Sequence, residues 1–274
     1  MPFIEVKINL PAELSDIFVA ELVEVGYDSF LEVDNGLDAY IEEGDFNEQA
    51  LQDVIRKYSG EVTYTFSPLE NKNWNEEWEK NFEPVIIDDK CVIRATFHKI
   101  PTTYEYEVVI NPKMSFGTGH HETTSMMASW QLKMDFVGKR VMDAGSGTGI
   151  LAILAEKRGA REVIANDIEE WAYNNCVENI ALNNCSKITC LSGEIGSLGI
   201  KTPFDIILAN INKNVLLSEM SQYGQHINSK GLLLLSGFYS DDVQDICDEA
   251  AKFGFSKMEV MTKNNWASVL LQQK

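Results

Sequence analysis

Several residue types that would announce a function are scarce in this chain. Its five cysteines, Cys91, Cys176, Cys185, Cys190 and Cys247, form no CxxC pair and no metal-like spacing with histidine. That argues against a disulfide scaffold or a zinc module and for reduced thiols in a cytoplasmic chain. No run of about 18 apolar residues occurs, so no membrane-spanning helix is expected. The start, Met1-Pro2-Phe3-Ile4-Glu5, lacks the basic and apolar regions of a secretion signal. Basic residues are outnumbered, 23 Lys and Arg against 42 Asp and Glu, for a net charge of −19. Such a surface repels nucleic-acid phosphates and attracts basic partners.

The deficit is concentrated. Residues 1–66 hold 15 acidic side chains and only Lys7, Arg56 and Lys57 as basic ones. The same segment reads as strand–helix–strand–strand–helix–strand, the ferredoxin-like split unit. Phe3–Leu10 alternates as a strand, and Leu14, Ile17, Phe18, Leu22 and Val25 line one helical face ended by Gly26. Ser29–Val33 and Asp38–Glu42 flank the hairpin turn Asp34-Asn35-Gly36. Asp45 and Glu48 have capping-box spacing before a second helix, which Gly60 closes, and Val62–Phe66 is the last strand. No catalytic constellation lies here, so residues 1–66 are expected to be a recognition module for a basic partner. Residues 67–82 form a polar connector in which Trp74 and Trp78 share a helical face.

Residues 83–274 carry the chemistry. Cys91–His98 and Tyr104–Ile110 are expected to pair as strands through a turn at Pro101. From Arg140 strands and helices alternate, an α/β pattern of seven strands whose last two, Lys257–Met261 and Ala267–Leu271, are joined by a short turn. That finish requires one antiparallel strand. The first strand of the seven runs into Gly145-Ser146-Gly147-Thr148-Gly149 and then an apolar helix. Such a strand–turn–helix unit cradles a nucleotide. The dinucleotide fingerprint needs a glycine where this chain has Ile150, which disfavours NAD. Asp167 ends the next strand, 22 residues after Gly145, where a carboxylate accepts both ribose hydroxyls. The turn and Asp167 together describe an adenosine-type cofactor site, with Ser192-Gly193-Glu194 placed to meet the adenine edge. Asn210 ends the fourth strand, where ligands of such sheets bind, and its carboxamide offers both an acceptor and donors. Before the sheet, Asn111–Thr124 is a long loop rich in glycine, hydroxyls and histidine, expected to be a cofactor lid. His120 and His121 have no third ligand at a metal-binding spacing, so no metal is expected.

Taken together, these stretches resemble the bacterial ribosomal protein L11 methyltransferase family (PrmA type) over essentially the whole chain. The most specific likeness is Phe116–Thr124, similar to that family's FGTGTHPTT loop, with His120 in place of Thr and Glu122 in place of Pro; Ala209-Asn210-Ile211 also matches. The resemblance implies a class I methyltransferase (Rossmann-like) domain preceded by a small ferredoxin-like α+β domain. It implies S-adenosyl-L-methionine as cofactor, with Thr124, Gly145, Asp167 and Asn210 on the family's cofactor-binding positions and Gly147 in the same turn. It further implies methylation of lysine side-chain and N-terminal amines on a basic ribosomal protein, L11, with Asn210 as the residue positioning amine or cofactor. Two alternatives stay open on the residues. A nucleobase or glutamine methyltransferase usually places two prolines and an aromatic after the strand-end Asn, where this chain has Ile211-Asn212-Lys213. A non-catalytic ribosome-assembly factor on this scaffold would not need Gly145, Gly147 and Asp167 intact.

Overall fold

A computed structural model describes residues 3–11, 14–33, 35–58, 62–68, 82–112 and 117–274. The chain forms two compact units, Met1–Trp78 and Glu79–Lys274. Of the expected connector only the ends are described; Trp74 and Trp78 lie outside, as do Asp34, Gly60 and Phe116.

In the first unit β1 (Phe3–Asn9), β2 (Ser29–Val33), β3 (Gly36–Glu42) and β4 (Thr63–Pro68) form an antiparallel sheet of order β2-β3-β1-β4. This is the ferredoxin-like order. Alternation in β1 sends Ile4, Val6 and Ile8 into the core with Phe18 and Leu22 of α1 (Ser15–Glu24) and Leu51 and Val54 of α2 (Glu48–Ile55). Each such side chain contributes about 1.5–3 kcal/mol on burial. The opposite sheet face carries Glu5, Lys7, Asp38, Tyr40 and Glu42 from adjoining register positions of β1 and β3. The cap of α2 differs from the expectation. Asn47, not Asp45, is the N-cap: its backbone is extended and its Oδ1 accepts from Gln49 N at 3.0 Å and Ala50 N at 3.2 Å.

The second unit is built on a seven-stranded sheet. Its strands are β8 (Arg140–Ala144), β9 (Glu162–Asp167), β10 (Ile188–Ser192), β11 (Phe204–Asn210), β12 (Ile227–Tyr239), β13 (Phe255–Lys263) and β14 (Trp266–Gln273), in the order β10-β9-β8-β11-β12-β14-β13. β14 pairs antiparallel with both neighbours, so it is the antiparallel strand that the short last turn demanded. Asn264 and Asn265 form that turn at positive φ, 47° and 67°. The helices are α3 (Glu122–Lys133), α4 (Ile150–Lys157), α5 (Glu170–Leu182), α6 (Lys213–His226) and α7 (Val243–Lys252). Residues Ile150–Ala155 of α4 are all buried, as expected for a helix hydrophobic all round.

A three-stranded sheet of β5 (Val85–Ile87), β6 (Cys91–Ala95) and β7 (Tyr106–Ile110) precedes it. β6 and β7 are parallel, not the expected hairpin. β6 stops at Ala95, where the His98 ring accepts from Ala95 N and the His98 N–H returns to Ala95 O. The chain then doubles back, and Tyr106 re-enters beside Cys91. The antiparallel partner of β6 is β5. The free edge at the end of β7 is closed by side chains of α5: Asn183 Oδ1 accepts from Val109 N (2.9 Å), its Nδ2 donates to Val109 O (2.6 Å), and Asn179 Oδ1 accepts from Asn111 N (2.7 Å). Asn175 Nδ2 donates to Asn111 O (3.1 Å). Three asparagines one helical turn apart thus do the work of a missing strand.

Candidate active site

β8 delivers the chain to the glycine turn with Gly145, Gly147 and Gly149 all at positive φ. At Gly145 a side chain is impossible on two counts. Its φ is +67°, and a Cβ would lie 2.3 Å from Ile211 Cγ2. Gly237, in β12, is pressed against the same residue; a Cβ there would lie 2.1 Å from Ile211 O. Ile211 is therefore wedged between two glycine backbones, which holds the end of β11 and its Asn210 in place.

The turn is braced from three sides. Asp167 Oδ2 accepts from Gly147 N at 2.9 Å while Oδ1 accepts from Glu169 N at 3.1 Å. Thr148 Oγ1 donates to Gly117 O at 2.6 Å, and Asn179 Nδ2 donates to Thr148 O at 2.9 Å. Beneath the turn, buried Asp143 accepts from Ala152 N of α4 at 3.0 Å, and its other oxygen has no partner among the described residues. Burial pushes the Asp143 carboxyl up to about 7; the Ala152 N–H opposes the shift and the Asp167 charge adds to it.

The loop before α3 reaches this turn through Gly117. His121 caps α3, its ring accepting from Thr123 N. Glu122 occupies the first helical position, a place where proline and acidic residues are both favoured. Its carboxyl accepts from Asn264 Nδ2 at 3.0 Å, and that bond holds its pKa below the ordinary glutamate value. His120 turns to the Glu83 carbonyl, Nε2–O 2.9 Å. Both departures from the resembled loop thus have local partners.

These elements surround a cavity of about 460 Å³, within the range of small-molecule sites. All five residues singled out from sequence, Thr124, Gly145, Gly147, Asp167 and Asn210, line it. Asn210 Nδ2 donates to Thr124 Oγ1 at 3.1 Å, with both side chains buried. Asn210 Oδ1 is buried and has no hydrogen-bond partner among the described residues, a group that calls for an explanation in a native site. Ser192, Gly193 and Glu194 are not among the lining residues; Gly193 is spent on the sheet, its N–H on Asp167 O and its carbonyl on Asn166 Nδ2. Sequence reading missed Ile168, Trp171, Val215, Glu219 and Trp266, all of which line the cavity. Trp266 begins β14, with its ring 4.6 Å from His121 and 4.3 Å from Tyr239.

The charge of the lining discriminates between ligands. It includes Asp167, Glu169 and Glu219 and no Lys or Arg among the described residues. A pyrophosphate would meet acids and no cation. An adenosine carrying a positive centre meets the opposite, the carboxylates of Asp167, Glu169 and Glu219. The residues fit a cationic adenosine cofactor.

Comparison with known proteins agrees. The family model described as Ribosomal protein L11 methyltransferase (PrmA) matches residues 6–274. A ribosomal protein L11 methyltransferase of Bacteroides fragilis is 45% identical over 260 residues, 93% of each chain. One from Bacteroides thetaiotaomicron is 46% identical over the same length and coverage. The crystal structure of a ribosomal protein L11 methylase from Lactobacillus delbrueckii subsp. bulgaricus superposes with a TM-score of 0.65 at 26% identity, covering 70% of this chain and 100% of that one. With its nucleotide turn, ferredoxin-like module and seven-stranded sheet, the chain belongs to the ribosomal protein L11 methyltransferase (PrmA) family.

Proposed function

We propose that this protein methylates lysine side-chain and N-terminal amines of ribosomal protein L11, with Asn210 and Thr124 holding the reacting end of the pocket and Gly145, Gly147 and Asp167 holding the adenosine end. It is a methyltransferase dependent on S-adenosyl-L-methionine, a sulfonium that supplies an electrophilic methyl group when bound. The observation that carries the assignment of roles is the buried, unpartnered Oδ1 of Asn210. Thr124 fixes the other end of that carboxamide, which leaves Oδ1 as its acceptor without a partner among the described residues, the group we assign to an amine N–H or to the cofactor once the pocket is filled. A lysine amine has an ordinary pKa near ~10.4, so freeing its lone pair at neutral pH costs roughly 4–5 kcal/mol. A desolvated position beside Asn210 lowers that cost, and preorganised approach supplies much of the remaining barrier, up to about 7–11 kcal/mol.

The acidic module over residues 1–66 is the recognition domain in this reading, and residues 67–82 its connector to the catalytic domain over 83–274. The acidic excess of that segment, 15 acidic side chains against three basic ones, complements a basic substrate. No described helix is long and apolar enough to cross a membrane, and we place the enzyme in the cytoplasm with its ribosomal substrate. The test is transfer of labelled methyl to purified L11 by wild type, Asn210→Asp and Asn210→Ala. Loss of one hydrogen bond to an amine lowers kcat/KM about 10- to 100-fold in Asn210→Ala. Asn210→Asp retains an acceptor and falls less. An Asn210→Ala enzyme with wild-type kcat/KM removes Asn210 from the mechanism.

A further inference from the structure

We infer that Glu219, on α6, reads the amino edge of the cofactor's adenine ring and so sets the protein's preference for adenosine over 6-oxo purine cofactors. This rests on the cofactor pocket as assigned above. Three observations converge on it. First, Glu219 lines the cavity, and Tyr223, fully buried one turn further along α6, donates its O–H to Glu219 Oε2 at 2.6 Å. That is its carboxylate's one hydrogen bond among the described residues, so Oε1 has no partner among them, and the residue lines the cavity. No ion pair neutralises it among those residues. A half-buried carboxylate held by a buried tyrosine is an oriented acceptor.

Second, its position suits the ring. α6 starts beside Asn210, and Glu219 is seven residues beyond the cap Asn212, about 10 Å along the axis. The reacting end and Glu219 are therefore separated by roughly the length of an adenosine. Gln222, further along, reaches the turn after β10: a Cβ at Gly196 would sit 3.2 Å from its carboxamide. α6 thus leans on the loop to which the adenine edge was assigned from sequence, and it is α6, not Ser192–Glu194, that enters the cavity lining.

Third, a flat apolar ligand is called for beside it. Val215 lies one helical turn before Glu219, on the same face, and lines the cavity although 37% exposed. Ile168, next to the ribose-binding Asp167, is 64% exposed and lines it too. Apolar groups of this size are left open to solvent at a cost that a planar ring removes by covering them. An apolar plate with one acceptor at its edge selects a heterocycle bearing an N–H donor. Adenine places its 6-amino donor there, whereas a 6-oxo purine places a carbonyl at that position and keeps only the neighbouring N1–H as a donor, so a carboxylate set against position 6 repels it. Burial raises the Glu219 pKa, the Tyr223 bond opposes this, and the Glu194 charge adds to it, as expected for a carboxylate awaiting a donor.

The experiment is calorimetric titration of the full chain with S-adenosyl-L-homocysteine and with S-inosyl-L-homocysteine, for wild type, Glu219→Gln, Glu194→Gln and Tyr223→Phe. Wild type prefers the adenosyl compound about 10-fold or more, the scale of a hydrogen bond to a charged group. Glu219→Gln collapses this ratio towards unity or below. Its amide oxygen stays on Tyr223, and its NH2 then faces the ring and donates to the 6-oxo group. Tyr223→Phe narrows the ratio less, by loosening the carboxylate, and decides the matter if Glu219→Gln does not fold. An unchanged ratio in the folded Glu219→Gln or Tyr223→Phe proteins overturns the inference. So does a ratio lost in Glu194→Gln and kept in Glu219→Gln. Failure of wild type to bind the adenosyl compound overturns the cofactor pocket itself, and the inference with it.

Discussion

Asn179 offers the sharpest test of how the catalytic unit is held together. It is fully buried on α5, and its carboxamide joins two segments far apart in sequence. Oδ1 accepts from Asn111 N, just beyond β7, and Nδ2 donates to Thr148 O, inside the glycine turn. Asn179→Ala leaves both backbone groups without this partner, Thr148 O in a buried site and Asn111 N in a partly buried one. A buried group left unsatisfied costs about 1–3 kcal/mol, so the pair costs about 2–6 kcal/mol. For a domain of this size that lowers Tm by roughly 4–24 °C, at about 2–4 °C per kcal/mol. Asn179→Asp fares no better. It keeps the acceptor for Asn111 N but sets a carboxylate oxygen against the Thr148 carbonyl in a buried site. The assay is thermal unfolding with and without S-adenosyl-L-homocysteine. The ligand shift shrinks in the variant as well, since the glycine turn and the end of β7 lose their common anchor. For Asn179→Ala, a Tm lowered by less than about 2 °C, under the smallest shift expected above, with an unchanged ligand shift, would refute the reasoning.

Other consequences are as definite. Asp143 has a folded pKa raised to about 7, against about 3.9 unfolded. Its contribution to stability is therefore full below about pH 4 and is lost as pH rises through about 7, whereas the carboxamide introduced by Asp143→Asn does not titrate. The variant's stability relative to wild type accordingly rises from about pH 4 to about pH 8 in paired denaturant titrations, and a constant difference contradicts the assignment. Gly237→Ala drives a Cβ into the Ile211 carbonyl, whereas Gly138→Ala, also at positive φ, has nothing within 4 Å to meet. The first is expected to lose folded yield outright and the second to cost about 1–2 kcal/mol, as measured by soluble expression and chemical unfolding.

What the sequence disclosed follows from how local each feature is. The glycine turn and Asp167 were legible because chain geometry places them: a turn after one strand and the end of the next. Asn210 was legible from the rule that ligands sit beyond the carboxyl ends of parallel strands. The pairing of β6 with β7 was not. Pro101 suggested a hairpin, but the partner that completes β6 is the three-residue β5, too short to stand out, and the edge of β7 is closed by side chains of α5. The spacing of Asn175, Asn179 and Asn183 was the available signal, and it was visible only as helical periodicity of a polar residue. The α2 cap moved from Asp45 to Asn47 because both carry capping chemistry and only the extended backbone at Asn47 decides between them. Glu219 and Trp266 reach the cavity from α6 and β14, so only the tertiary fold brings them to Asp167 and Thr124.

The central claim is that the pocket between Asp167 and Asn210 donates methyl groups to a basic ribosomal protein. Its most direct test is incubation of the full chain with labelled S-adenosyl-L-methionine and separated ribosomal proteins and RNA, with Asp167→Ala alongside. The account predicts label in the amines of L11, stable to RNA digestion and lost or strongly reduced with Asp167→Ala. Label in RNA, or in no ribosomal protein, would contradict it.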